Sequence, residues 1–301
     1  MIKPVHAVGF GIGIVERASG SGLSALAIKG PVAAHHGLRP PRISADLDVL
    51  VEPGRAQDLV NALARCGWSP RPMTRAAGIA SAHSESLTHP DWPIDIDVHF
   101  RFPGFLEGDQ RAFDALWEDR TTMTFAGVEC TVAGRNGSII IAMLHAIRPD
   151  ASGGQRLHEL ELALDAVRAM DPAERQRLVD LVIASGAAAA LASPLREAGV
   201  EVPVPTEVDA TAWNARVASA GSFTGQVVSA AGGASGAERW KVLWLALWPS
   251  SEELRAAYEG EGREVGSMAR LRIERLGRGL RALPGALRAY RDARRESRGL
   301  Q

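Results

Sequence analysis

The chain has 301 residues, 46% of them hydrophobic and 23% charged. These are the proportions of a globular protein of about two domains; they exclude a disordered tail, a collagen-like repeat and a stapled mini-protein. The net charge is −1, but residues 263–301 carry eleven arginines against four acids, a surplus of seven that leaves −8 on the remainder: an acidic body with a basic tail.

Taken in order, Gly9-x-Gly11-x-Gly13 lacks the strand before it and the third glycine spacing of a dinucleotide loop, so it reads as a glycine-rich helix or turn. Leu23 to Ile28 is a short apolar run that predicts a buried strand, interrupted by Lys29-Gly30-Pro31. Pro31 suits the first turn of a helix over Val32 to His36, which Gly37 stops. Arg39-Pro40-Pro41-Arg42 is loop by composition. Leu47, Val49 and Val51 predict a strand with Asp46 and Asp48 at its entry, and Arg55 to Cys66 an amphipathic helix ended by Gly67. In the segment from Ile94 to Phe102 the apolar residues take the even positions. One face therefore enters a core and the other presents Asp95, Asp97, His99 and Arg101. Met123 to Val132 adds a hairpin.

After Gly134 the period becomes helical. Ser138 is placed to cap a helix holding Ile139, Ile140, Met143, Leu144 and Ile147; Leu157 to Met170 forms a second and Asp171-Pro172 opens a third. His145 and Asp165 on two of these helices read as a buried polar pair. Ser219 to Gly236, rich in Gly, Ser and Ala, reads as a mobile connection, and helical spacing resumes at Trp240, with Trp244 and Trp248 on one face. The domains expected are thus 1–134, α/β, and 135–301, helical.

Cys66 and Cys130 stand in unrelated segments, suit a reducing compartment and read as small buried hydrophobes. The histidines show no zinc spacing with them. No apolar run approaches the roughly 18 residues of a membrane helix. Glu16 and Arg17 follow the apolar stretch after Lys3 too closely for a signal peptide, so a cytoplasmic protein is expected.

The chemistry concentrates in the carboxylates. Asp46 and Asp48 alternate on one strand and project together, and a neighbouring strand would bring Asp97 beside them. Three acids that close repel unless a cation neutralises them, and hard oxygen ligands select Mg²⁺ or Mn²⁺. The plainer alternative is two solvated acids on a strand edge and an unrelated acidic strand face.

The ordered set Leu26-Ala27-Ile28-Lys29-Gly30, Arg42-Ile43-Ser44-Ala45-Asp46-Leu47-Asp48 and Ile94-Asp95-Ile96-Asp97-Val98-His99 resembles the nucleotidyltransferase family of the polymerase-beta superfamily, in its bacterial branch. The resemblance covers about the first 135 residues. It implies an α/β fold, a mixed sheet with flanking helices, followed by an all-helical domain that shapes the acceptor site. It implies Asp46 and Asp48 as ligands of two metal ions and Asp97 as the third acid, which helps deprotonate the acceptor. Lys29, Gly30 and Ser44 would meet the triphosphate, and Arg42 would clamp a phosphate. Asp95 and His99 share the face of Asp97; His99 reads as a hydrogen-bonded supporting group or an acceptor contact. Where the superfamily more often has Gly-Gly or Gly-Ser, this chain has Lys29-Gly30.

The reaction implied is transfer of a nucleoside monophosphate from an NTP, ATP being the one expected, to a hydroxyl-type acceptor on a small molecule, peptide or protein, by two-metal in-line displacement with release of pyrophosphate. The alternatives are a tRNA-modifying, toxin-like enzyme, or a non-catalytic nucleotide-binding relic. The tRNA reading needs the basic tail. There Leu276, Leu280, Leu283, Leu287 and Tyr290 recur at spacings of four and three among arginines, an amphipathic helix that Pro284-Gly285 should kink or split. The tail suits tRNA, an anionic membrane surface or, more simply, packing on the acidic body.

Overall fold

The computed structural model describes residues 11, 13–15, 22–71, 83–125, 127–148, 153–218, 223–251, 254 and 267–299. Gly9, most of the stretch after Lys3, residues 219–222 and Arg263 lie outside them. The chain divides into two compact units, Met1–Arg71 with His83–Ile147 and Ser152–Val208, and Pro72–Ala82 with Arg148–Ala151 and Asp209–Gln301.

The first unit contains strands β1 (Ala25–Ile28), β2 (Asp46–Val51), β3 (Ser69–Pro70), β4 (Ser84–Thr88), β5 (Asp95–His99), β6 (Thr121–Phe125) and β7 (Val128–Val132). Interleaved with them are helices α1 (Gly30–His35), α2 (Ala56–Ala64) and α3 (Asp109–Glu118), and after them come α4 (Arg135–Ile147), α5 (Gly153–Arg168), α6 (Pro172–Ala184) and α7 (Ala188–Glu197). The strands form one mixed seven-stranded sheet in the order β3-β4-β5-β2-β1-β7-β6. The β2–β5 and β1–β7 pairs are parallel and the others antiparallel. This is the mixed α/β architecture expected from the sequence.

β2 lies between β1 and β5, so both edges are hydrogen-bonded and Leu47 to Val51 are all buried. Leu47, Val49, Val51, Ile96, Val98 and Val132 build the core with Leu59 and Leu63 of α2 and Trp68. Burying such side chains contributes about 1.5–3 kcal/mol each. Gly11 lies in a helical segment so close to the sheet that a Cβ there would stand 3.2 Å from the Ile94 side chain.

Helices take over after β7, at Gly134. Ser138 does not cap α4, which begins three residues earlier; its Oγ donates to the Ala133 carbonyl from inside the helix. The first turn is capped from another element instead, the Gly137 amide donating to the Asp119 carboxylate at 2.8 Å. α6 starts on a capping box between Asp171 and Glu174. The helices from α4 to α7 share the first compact unit with the sheet, and the division between units falls at Val208 and Asp209, later than the change from strands to helices.

The second unit contains α8 (Thr211–Ala218), α9 (Phe223–Gly233), α10 (Gly236–Leu247) and α11 (Met268–Gly299). Two expectations are corrected here. Most of the described part of Ser219–Gly236 is not a loose connection but α9, where Gly232 is required because a Cβ would stand 2.3 Å from the Tyr290 ring of α11. Pro284 does not divide α11, which runs through it as one 32-residue helix; a proline deletes a single amide donor, and the flanking turns carry the helix on. Leu271, Ala286 and Ala293 are buried, whereas Leu276, Leu280 and Leu287 are exposed.

Cys130 is buried as expected, but Cys66 is exposed. It sits in the turn after α2, and Trp68 fills the core there in its place.

Candidate active site

Parallel pairing of β2 with β5 sets Asp48 opposite Asp97 and Asp46 opposite Asp95. Adjacent strands lie about 4.8 Å apart and alternate residues share a face, so the pairing converts two short motifs into one carboxylate cluster. One ligating atom each from Asp48, Asp97 and His99 lies within 4.8 Å of the others. Asp46 begins β2 and is exposed; its carboxyl is not part of that close group, though it shares the strand face of Asp48.

Asp48 is the buried centre. Its Oδ1 accepts from the Lys29 ammonium at 2.6 Å and from His99 Nε2 at 2.7 Å. A carboxylate only accepts, so Nε2 carries a proton, and His99 is committed to orienting Asp48. The imidazole is buried, flanked by the His83 and Phe102 rings, and Lys29 lies over the same Phe102 ring at 5.5 Å. Burial pushes the Asp48 carboxyl up, but Lys29 and His99 outweigh it and hold the group well below the usual carboxylate range. Asp97 is the opposite case. Desolvation and the charges of Asp48 and Asp46 raise it, against a hydrogen bond from Ser86, its partner on β4. Asp46 is also raised, by desolvation and then by Asp48. One carboxylate fixed in the charged state thus sits beside two acids that resist ionising.

Lys29 reaches Asp48 through an uncommon backbone. Its φ of 54° is the only positive value at a non-glycine position among the described residues, a strain that the surrounding contacts must hold. Gly30 follows at φ +38°, and a Cβ there would stand 3.2 Å from Ser44 Oγ. Lys29, Gly30 and buried Ser44 therefore meet at one end of β2. Arg42 lies nearby on the loop, 3.9 Å from Glu159 of α5, and Arg39 is 4.0 Å from the same carboxylate. Lys29, Arg39, Arg42, Ser138, His145 and Glu159 line a cavity of about 40 Å³, room for a water or two. Asp95, opposite Asp46 on the adjacent strand, is ion-paired with Arg71.

Sequence reasoning missed Arg39, Glu159 and the role of His145. His145 faces this cavity, while Asp165 is ion-paired with Arg168 at 2.7 Å, so the two do not form a buried pair. No spacing signals Glu159, which reads as one more polar position on a helix. The donor chemistry fits a hard divalent cation: carboxylate oxygens of Asp48 and Asp97, Asp46 one step along the strand, and a histidine that fixes the first rather than competing for the ion. Lys29 now supplies the positive charge that such an ion would bring.

No protein-family profile matches the sequence, and no curated protein matches it. Among solved structures, the chain is similar to an antigenic nucleotidyltransferase-like protein from Paracoccidioides brasiliensis, at 12% identity and a TM-score of 0.38, over 66% of this chain and 94% of that one. It is also similar to a tRNA nucleotidyltransferase solved with a primer tRNA and an incoming ATP analogue, at 12% identity and a TM-score of 0.25, over 95% and 96% of the two chains.

Proposed function

We propose that the chain is a metal-dependent nucleotidyltransferase that moves a nucleoside monophosphate, AMP in the first instance, from an NTP to a hydroxyl-type acceptor. The observation that carries this reading is the in-register placement of Asp48 and Asp97 on adjacent parallel strands, with Asp46 on the same face of β2. A binding relic has no use for mutually repelling acids held together at the end of a sheet.

Asp46, Asp48 and Asp97 would hold Mg²⁺ or Mn²⁺, which supplies charge neutralisation at phosphorus and a more acidic acceptor hydroxyl. Asp97 is the acid that would take the acceptor proton on its Oδ. Asp48 stays ionised throughout, aimed by His99. Lys29 exchanges Asp48 for the triphosphate, with Arg42, Ser44 and the Gly30 backbone as its further contacts. Asp95, held by Arg71, supports β5 rather than the reacting groups. Residues 1–134 carry the chemistry in this reading, and the helices after Gly134 shape the acceptor side, which Ser138, His145 and Glu159 begin.

The test is incubation with each NTP, Mg²⁺ and candidate small-molecule, peptide, protein and tRNA acceptors, following pyrophosphate release and the mass gain of the acceptor. Asp48→Asn should lower turnover by about 10²–10³-fold, the range for loss of one group that stabilises transition-state charge, with the circular dichroism unchanged. Undiminished turnover in that variant removes the assignment.

A further inference from the structure

The second unit packs in a way that leaves rows of large apolar side chains open. α11 turns its small residues inward: Ala286 and Ala293 are buried, Leu271 packs on Leu254, and Gly232 of α9 lies against the Tyr290 ring. Because this small-residue face makes the contact, the leucines of the same helix point elsewhere. Leu280 is 67% exposed, and Leu276 and Leu287 are exposed with it. They recur with Leu283 at steps of four, three and four, one narrow stripe of a helix. A groove of about 480 Å³ is lined by Leu280, Leu283 and Leu287 and by Arg288, Arg291 and Arg295, with Asp292 the one acid among them. The helix carries ten arginines against three acids.

α10 adds a second open apolar row. No residue of α10 is buried, and Trp240, Trp244 and Trp248 are 72%, 65% and 57% exposed. Trp244 and Trp248 stack with ring centroids 6.3 Å apart, and the Arg272 guanidinium of α11 lies 5.3 Å from the Trp248 ring. The end of the tryptophan row is thereby joined to the start of the leucine helix. Isolated exposed apolar residues are ordinary, but a row of tryptophans joined by an arginine to a row of leucines marks a surface that is covered in use.

We propose that this surface docks the protein on an anionic lipid bilayer, lying in the headgroup region rather than crossing it. Among the described residues no helix is long and apolar enough to cross a membrane, and the attachment proposed is from one side. The occupant has to accept leucine and tryptophan side chains and, beside them, arginines. A nucleic acid satisfies the arginines through its phosphates but offers the leucine stripe nothing. The acyl boundary of an anionic bilayer takes the leucines, its headgroups pair with the arginines, and tryptophan is at home at that depth. Attraction to anionic lipid is worth about fivefold in affinity for each arginine near the surface. The attachment is independent of the reaction assigned to Asp48 and Asp97.

The experiment is co-sedimentation of the full chain with vesicles of phosphatidylcholine alone and of phosphatidylcholine mixed with phosphatidylglycerol, with tryptophan emission read on the bound fraction. Binding should require the phosphatidylglycerol, weaken with salt and shift the emission to the blue. Leu280→Glu with Leu287→Glu should cost at least tenfold, and Arg288→Gln with Arg291→Gln a further loss of about fivefold per arginine, with helix content and nucleotide turnover unchanged. No binding to the mixed vesicles overturns the proposal. So does binding that ignores the leucine changes, tRNA binding that depends on the same leucines, or leucine-dependent self-association in light scattering, which would give the surface to a second copy of the chain.

Discussion

Lys29→Met removes the ammonium that touches Asp48 and isolates its contribution. The side chains of Lys29 and Asp48 are only 14% and 8% exposed, and Nζ lies 2.6 Å from Oδ1. Both charges are largely out of water, so the relevant comparison is the loss of one partner of a buried pair, about 3–5 kcal/mol. His99 still donates to the same oxygen at 2.7 Å, which places the expected loss at the lower end, about 3 kcal/mol. For a unit of this size that corresponds to a fall in Tm of about 6–12 °C. The assay is thermal and urea unfolding of the metal-free protein, repeated with saturating Mg²⁺. If Asp48 is a cation site, Mg²⁺ replaces the missing charge and most of the loss disappears. A loss below about 1 kcal/mol, or one of the same size with and without Mg²⁺, would refute the reasoning.

The remaining predictions concern charge and packing. Asp97 titrates above its ordinary value; its neutral form favours the fold, and that contribution is complete below the ordinary carboxylate range and lost as pH rises through the raised value. Asp97→Asn should therefore stabilise the metal-free protein at neutral pH, while abolishing the rise in Tm that Mg²⁺ gives the wild type. Asp48 has the reverse sign: its carboxylate stabilises the fold above the ordinary range and that is lost only in strong acid, so Asp48→Asn should destabilise at neutral pH and flatten the acid limb of a stability profile. In the second unit, Gly232→Ala places a Cβ against the Tyr290 ring and should cost about 1–3 kcal/mol, with Tyr290→Ala restoring part of it; urea unfolding of the single and double variants measures both.

Short-range pattern made the site strands legible. Strict alternation from Ile94 onward set the polar face of β5, and Asp46-x-Asp48 announced its own shared direction. That a neighbouring strand would bring Asp97 beside Asp48 was expected, but the parallel register that does so was not legible, because hydrophobic alternation is the same for either strand direction. The Lys29–Asp48 contact was not legible: 19 residues separate the two, and it depends on a left-handed backbone at Lys29 that a lysine disfavours. Composition misled at Ser219–Gly236, where glycine serves close approach to Tyr290 rather than freedom. Which face of α11 packs was not legible either: Leu271, Ala286 and Ala293 are buried while Leu276, Leu280 and Leu287 are exposed, because helix partners that sit close select small side chains over large ones.

The central claim is that Asp48 and Asp97 form a divalent-cation site, and it is tested most directly by titrating Mn²⁺ into the full chain and following the loss of free-ion electron paramagnetic resonance signal. The wild type should capture Mn²⁺ saturably, with Mg²⁺ competing, and Asp48→Asn and Asp97→Asn should capture little while keeping their circular dichroism. Equal capture by the wild type and both variants, or none by the folded wild type, would contradict it.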